Sequence, residues 1–266
     1  MYQIVFSDID GTLLNDEHVI TPLTNLAIKQ LQKQEIPFVI VSARSPSGIY
    51  PILEENNFKC PIISYGGGLI LDENRNIIFE QGFATELALK IIDFIENSNF
   101  DMSWCIYSYD RWLVKNRQDK RVQREERIVK AISEEANLET ISKLPVIHKI
   151  LCICNPEYID EIEIKLNEFF DDCQIVRSSN ILIEITNKDI SKAEAIKKYC
   201  KIANININNT LAFGDQYNDL QMLKTVGCGI AMKNAPLEIQ KEVKKVTDDN
   251  NHDGIYWALK ELSLVK

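Results

Sequence analysis

The chain has 266 residues, 45% of them hydrophobic and 26% charged, which is the composition of a globular protein rather than a disordered or fibrous one. Its 30 Lys plus Arg against 39 Asp plus Glu leave a net charge of −9, which argues against a nucleic-acid backbone or an anionic membrane as the main partner, because both reward positive charge. The 7 cysteines are odd in number and scattered without a CxxC pair, no charged-then-apolar leader opens the chain, and no apolar run is long enough to span a bilayer; a cytoplasmic location is expected.

In chain order, Gln3 to Ser7 reads as a strand that ends in "DIDGT". "TPLTNLAIKQLQKQ" follows with Leu23, Leu26, Ala27 and Leu31 at helical spacing, Thr21 as N-cap and Pro22 at the first helical position. "IPFVIVSAR" is a continuous β-branched run, as expected of a strand covered on both faces, and "SPSGIYPILEENN" suggests a helix after it. From about Thr85 to Ile185 the pattern changes. A helix ("ELALKIIDFIENS"), strands around "MSWCIYS" and "RWLVK", and a long charged helix ("KRVQREERIVKAISEEA") come first. A strand ("VIHKILCIC"), another helix ("EYIDEIEIKLNEFF") and a hairpin turning at Ser178-Ser179-Asn180 complete the segment. Cys152 and Cys154 share one face of their strand, and with no further Cys or His nearby they read as core. The run Lys120 to Arg127 carries both signs and reads as a solvated helix face.

The strand–helix rhythm then returns. "SKAEAIKKYCKIA" puts Ala193, Ile196, Tyr199, Cys200 and Ala203 on one helical face, and "TLAFGD", "NDLQMLKTV" and "GCGIAM" read as strand, helix and strand. "NAPLEIQKEV", with Asn234 as its cap, and "HDGIYWALKELSLV" read as closing helices. The expected fold class is α/β: a doubly wound, Rossmann-like parallel-sheet core built from both ends of the chain, with an inserted α+β domain.

Functional groups of a parallel sheet collect at the C-terminal ends of its strands. Here Asp8 and Asp10 follow the first strand, Ser42-Ala43-Arg44 the second, Lys192 opens a helix, and Asp215 with Asn218 and Asp219 follows "TLAF". Singly, an Asp at such a place is a turn former, Ser42 a cap and Lys192 a surface lysine. Together they describe narrower chemistry. Crowded carboxylates repel unless a divalent cation sits between them, and an all-oxygen acidic set suits magnesium. A carboxylate attacks phosphorus, a second acid moves the proton, and a lysine, a hydroxyl and backbone N–H groups stabilise the spreading charge.

"DIDGTLL", "VSAR", the Lys in "SKAEAI" and "GDQYND" resemble the four ordered motifs of the haloacid dehalogenase superfamily of phosphohydrolases. The insertion between the second and third motifs resembles the Cof-type branch with a type IIB cap domain, and the similarity runs essentially end to end. The resemblance implies a hydrolase core over residues 1–82 and 187–266 and a specificity cap over 83–186. It makes Asp8 the nucleophile and a magnesium ligand, and Asp10 the general acid/base that also binds metal through its backbone carbonyl. Ile9 (backbone), Ser42, Ala43, Lys192 and Asn218 would hold phosphate, and Asp215 would ligate the metal. Asp219 would orient Lys192 or metal-bound water, and Thr12 would fix the nucleophile turn; Arg44 stays outside the site. The chain departs from the pattern at Ala43, where glycine is usual, at Tyr65, where asparagine is common, and around Ser191-Lys192, which lacks flanking glycines.

The function so implied is magnesium-dependent hydrolysis of a small phosphorylated metabolite, a sugar phosphate or a nucleotide-like cofactor phosphate, through an aspartyl phosphate. A phosphosugar mutase and a non-catalytic phosphometabolite-binding protein are the alternatives, and a signalling receiver is disfavoured by the Asp8/Asp10 pair, the inserted domain and the length. In the cap, Trp104, Tyr107, Tyr109, Arg111, Trp112 and Glu184 are either leaving-group contacts or packing of the cap sheet. No nucleic acid or membrane partner is expected, and the sequence leaves the oligomeric state open.

Overall fold

The computed structural model describes residues 2–129 and 131–266. By their contacts these fall into two units, one made of residues up to Ala43, Tyr50–Phe79 and Ser191–Lys266, the other of Arg44–Ile49 and Glu80–Ile190. The strands are β1 (Ile4–Ser7), β2 (Phe38–Val41), β3 (Ile62–Ser64), β4 (Leu69–Leu71), β5 (Ile77–Glu80), β6 (Met102–Ser108), β7 (Arg111–Val114), β8 (Glu134–Glu135), β9 (Lys149–Cys154), β10 (Cys173–Arg177), β11 (Leu182–Asn187), β12 (Thr210–Gly214), β13 (Cys228–Ala231) and β14 (Lys245–Val246). The helices are α1 (Pro22–Lys33), α2 (Pro46–Glu55), α3 (Thr85–Asn97), α4 (Lys120–Val129), α5 (Leu138–Ser142), α6 (Ile159–Phe169), α7 (Lys192–Ile202), α8 (Leu220–Thr225), α9 (Leu237–Glu242) and α10 (Gly254–Glu261).

The first unit is built on an eight-stranded sheet in the order β14-β13-β12-β1-β2-β3-β4-β5. From β14 to β3 the neighbours are parallel, and β4 returns antiparallel to β3. The strands β1, β2, β12 and β13 are buried along their whole length, which is why they read as unbroken apolar runs. The chain winds outward from β1 through β2 and β3 on one side and from β12 through β13 on the other. The direction of winding therefore reverses between β1 and β12, and the crevice beyond their C-terminal ends is where an open α/β sheet receives ligands. Ile4, Phe6, Val39 and Ala212 from the strands and Ile196 and Met222 from the helices belong to one core.

The helix surfaces differ from the periodic reading in two places. α1 buries Thr24, Ala27, Ile28 and Leu31, whereas Leu23 and Leu26 are exposed, so its core stripe is rotated by about a residue from the predicted one. Thr21 does precede α1, but its hydroxyl donates to Asp253 rather than capping the helix. α7 buries Ala193, Ile196, Tyr199 and Cys200 as predicted, while Ala203 is its exposed C-cap.

The second unit holds a six-stranded sheet in the order β10-β11-β9-β6-β7-β8, antiparallel except for the parallel pair β7/β8. On one face Trp104, Ile106, Ile150, Cys152, Cys154, Ile183 and Ile185 share a core with Ile91, Ile92 and Ile95 of α3 and Ile162 and Leu166 of α6. Each such side chain, fully buried, stabilises the fold by about 1.5–3 kcal/mol relative to exposure. Cys152 and Cys154 are thus core residues, and all cysteines among the described residues are free thiols. Trp104 faces this core with Nε1 donating to Glu96, so it is packing rather than a ligand contact. On the opposite face Tyr107 and Trp112 are buried and stack at 5.9 Å. Arg111 pairs with exposed Glu134, and Lys149 with Glu184. The long charged helix predicted through Ala136 ends as α4 at Val129; Lys130 lies outside the described residues, and β8 follows. Among the described residues no helix is long and apolar enough to cross a membrane.

Candidate active site

The site grows from the turn after β1. The amide N–H of Asp8 donates to the Phe213 carbonyl at 3.0 Å, which carries the β1/β12 ladder one residue past β1. The Ile9 carbonyl then accepts the N–H groups of Thr12, Leu13 and Leu14 at 3.3, 3.0 and 2.9 Å, winding the chain into a compact turn. Gly11 makes the turn possible: its φ is +78°, and a Cβ there would lie 2.4 Å from Asp215 Oδ2. Thr12 Oγ1 closes the turn by donating to Asp215 Oδ1 at 2.7 Å.

Lys192 enters from the first residue of α7. Ser191 caps that helix, its hydroxyl accepting from the Glu194 N–H at 3.2 Å. Gly67, at φ +122°, lets the chain after β3 come close to the helix start, since a Cβ would sit 2.7 Å from the Ser191 carbonyl. The Lys192 ammonium donates to Asp8 Oδ1 and to Asp219 Oδ1, both at 2.6 Å, and all three side chains are buried. Asp219 Oδ2 accepts the N–H groups of Asp215 and Gln216, both at 3.0 Å. With three donors on its two oxygens and no exposure, Asp219 is an anchor for Lys192 and for the turn after β12.

Three buried acids facing one lysine make an acidic, desolvated cluster. Burial pushes the Asp8 carboxyl up to about 8, with Asp219 and Asp215 acting in the same direction and Lys192 against it. Asp215 is raised as well, chiefly by burial, with the Thr12 hydrogen bond opposing. Burial alone would lower Lys192, but the Asp8 and Asp219 charges hold it above its ordinary value, so it is the charged partner. Asp8, Asp215 and Asp219 each place a carboxylate oxygen within 4.8 Å of the others. Asp219 spends both of its oxygens on Lys192 and the turn amides. Asp8 takes its lysine on one oxygen, and Asp215 accepts Thr12 on one and Gln216 (3.0 Å) on the other, which leaves lone pairs on both residues. An all-carboxylate set carrying excess negative charge fits a hard divalent cation.

The remaining predicted residues border this centre. Ser42, buried at the end of β2, donates its N–H to the Ile63 carbonyl at 2.8 Å and accepts the Gly66 N–H at 2.9 Å. Ala43 follows it with no positive φ, so alanine serves where glycine is usual. Ile9 is buried in the turn after β1. Asp10 is exposed in that turn and bridges to Leu14, and Asn218 is exposed in the turn after β12. Tyr65 is buried with φ +53°, a conformation that asparagine adopts more readily.

Two residues at the site escaped the sequence reading. Gln216, inside "GDQYND", donates to Asp215 Oδ2. Asn234, expected to cap α9, instead donates to the Gly11 carbonyl at 2.8 Å and approaches Asp215 Oδ2 at 3.5 Å, while Pro236 precedes the helix. Only the i+3 spacing of Gln216 to Asp219, which the structure shows as a reciprocal capping box, was a readable signal.

The chain is similar to several known proteins. A Haemophilus influenzae protein provisionally named a phosphatase is 37% identical over 262 residues, covering 98% of both chains. The crystal structure of TM0651 from Thermotoga maritima superposes with a TM-score of 0.90 at 26% identity, covering 98% of this chain and 97% of that one. The subclass IIB sugar phosphatase BT4131 shares the fold with a TM-score of 0.82 at 21% identity, over 99% of this chain and all of its own. The sequence profile of the haloacid dehalogenase-like hydrolases matches residues 5–259. The chain therefore belongs to the haloacid dehalogenase-like hydrolase family.

Proposed function

We propose that the protein is a magnesium-dependent phosphatase that hydrolyses a small phosphorylated metabolite, a sugar phosphate or nucleotide-like cofactor phosphate, through an aspartyl phosphate on Asp8. The observation that carries the reading is the Lys192 ammonium held 2.6 Å from both Asp8 and Asp219 in a buried setting. A surface lysine has no reason to be fixed there, whereas a phosphoryl group attacked by Asp8 needs a cation beside it.

In this mechanism an Asp8 carboxylate oxygen attacks phosphorus while the bond from phosphorus to the substrate's ester oxygen breaks. Asp10 gives its proton to the departing alkoxide, and an alcohol leaves. Asp10 then takes a proton from a water whose oxygen attacks phosphorus. The bond to Asp8 breaks, inorganic phosphate departs and both acids return to their starting states. Lys192, the Ser42 hydroxyl, the N–H groups of Ile9 and Ala43 and the Asn218 amide hold the phosphoryl oxygens. Asp219 keeps Lys192 aimed, and Thr12 keeps Asp215 oriented. Asp8, Asp215 and the Asp10 carbonyl would hold magnesium, which when bound offsets the repulsion between carboxylate nucleophile and phosphate dianion. The inserted segment 83–186 serves as the cap that selects the leaving group. The coarse class is supported by the related phosphatases, and BT4131 puts sugar phosphates first on a substrate panel.

The test is phosphate release from a panel of phosphorylated metabolites with magnesium present. Wild-type protein is expected to release phosphate and Asp8→Asn to be inactive. Magnesium-dependent turnover retained by Asp8→Asn would overturn the covalent route.

A further inference from the structure

Asn234 stands where the loop after β13 meets two parts of the site. Its amide nitrogen donates to the Gly11 carbonyl at 2.8 Å and reaches Asp215 Oδ2 at 3.5 Å. Its amide oxygen accepts the Asn250 N–H at 3.3 Å. Carbonyl and carboxylate oxygens only accept and an N–H only donates, so all three partners specify the same orientation of the amide. The Asn250 side chain donates in turn to the Leu14 carbonyl at 3.0 Å and to Asp16 Oδ1 at 3.2 Å. Two asparagines thus tie the beginning and end of the nucleophile turn to the chain beyond β13.

We infer that Asn234 is a positioning residue that sets the Asp215 carboxylate against the Gly11 turn and thereby tunes divalent-cation affinity. Gly11 is the residue whose missing Cβ lets Asp215 come within contact, so the two are interdependent in place. Thr12 holds Asp215 Oδ1, and Gln216 and Asn234 approach Oδ2, which fixes the rotation of the carboxylate about its last bond. Asn234 itself is exposed, so removing it costs the fold little while leaving Asp215 Oδ2 with Gln216 alone and the Gly11 carbonyl without its side-chain donor. Outer groups that orient a ligand typically change metal affinity by about 10–100-fold. The inference rests on the phosphatase reading above.

The experiment is calorimetric titration of magnesium into substrate-free wild type, Asn234→Ala, the near-isosteric Asn234→Leu, and Asn250→Ala, with apo melting curves and the magnesium dependence of phosphate release. Both Asn234 variants should melt close to wild type and bind magnesium about 10-fold more weakly. Their half-saturating magnesium concentration should rise more than kcat at saturating magnesium falls. Asn250→Ala keeps the backbone N–H that holds Asn234 and should lose less affinity. Unchanged affinity in both Asn234 variants, or an equal loss in Asn250→Ala, overturns the inference while leaving the phosphatase reading intact. A wild-type protein that neither binds magnesium nor responds to it overturns both.

Discussion

Replacing Lys192 by methionine keeps most of the side chain's volume and removes the charge between two buried acids. Lys192 is 3% exposed at its side chain, Asp8 9% and Asp219 0%, so solvent does little to screen the loss. Removing one partner of a buried pair typically costs about 3–5 kcal/mol, because the other charge stays buried and uncompensated. The exposed pair Lys143–Glu139, at 71% and 75%, sets the contrast: Lys143→Met should cost under about 1 kcal/mol. The sign of the pH dependence follows from Asp8. An acid whose folded value is raised, here to about 8, binds its proton more tightly in the native state, so it subtracts stability as pH rises through the window above the unfolded value near 3.8. Without Lys192 that carboxyl rises further, and the deficit of the variant grows with pH. Urea unfolding of wild type and Lys192→Met in chelator at pH 6 and pH 9 measures this. A loss below about 1 kcal/mol at pH 9, or one equal at both pH values, would refute the assignment of a charged lysine compensating buried acids.

Gly11→Ala places a Cβ 2.4 Å from Asp215 Oδ2 at φ +78°; a backbone cost of about 1–2 kcal/mol and roughly a 100-fold loss of phosphate release are expected, read by melting and by kinetics. Gly67→Ala meets the Ser191 carbonyl at 2.7 Å and should act at a distance through α7, lowering kcat without touching the turn after β1. Burial in the second unit lowers His148 from 6.5 to about 4, with Gln81 and Glu80 opposing. The unfolded chain therefore takes up that proton first on acidification, and stability falls between pH 6.5 and 4, by about 2 kcal/mol at pH 5; His148→Phe should flatten this part of the urea-midpoint profile. Chelation should abolish phosphate release, and magnesium should restore it better than calcium, whose larger, looser coordination suits the compact carboxylate set less well.

The strands at the heart of the first unit were legible because burial on both faces leaves no alternation to misread, as in "FVIV" and "LAF". β3 and β4 were not, being three residues each around a glycine-rich turn. In α1, Leu23 and Leu26 match the helical period as well as the buried stripe does, and only tertiary packing chooses Thr24 and Ile28 instead. Asp8, Lys192, Asp215 and Asp219 could be found at strand exits and a helix start, where backbone topology alone brings them together. Asn234 could not, because "NAP" before a helix reads as a cap, and its actual partners, Gly11 and Asp215, are remote in sequence.

The pairing of β1 with β12 joins Ile4 to Thr210, across the whole inserted segment and the core strands that precede it. On the ribosome β1 therefore emerges long before its neighbour on that side exists, whereas β6, β9 and β11 can find one another within their own stretch of chain. Loop closure grows only slowly more costly with length, so the long excursion delays assembly more than it weakens the product. The Asp8 carboxylate accordingly has no lysine beside it until translation has reached α7, and the buried acid–lysine cluster exists on no shorter nascent chain. Synthesis order thus keeps Asp8 without its buried cation until the whole inserted segment has already been made.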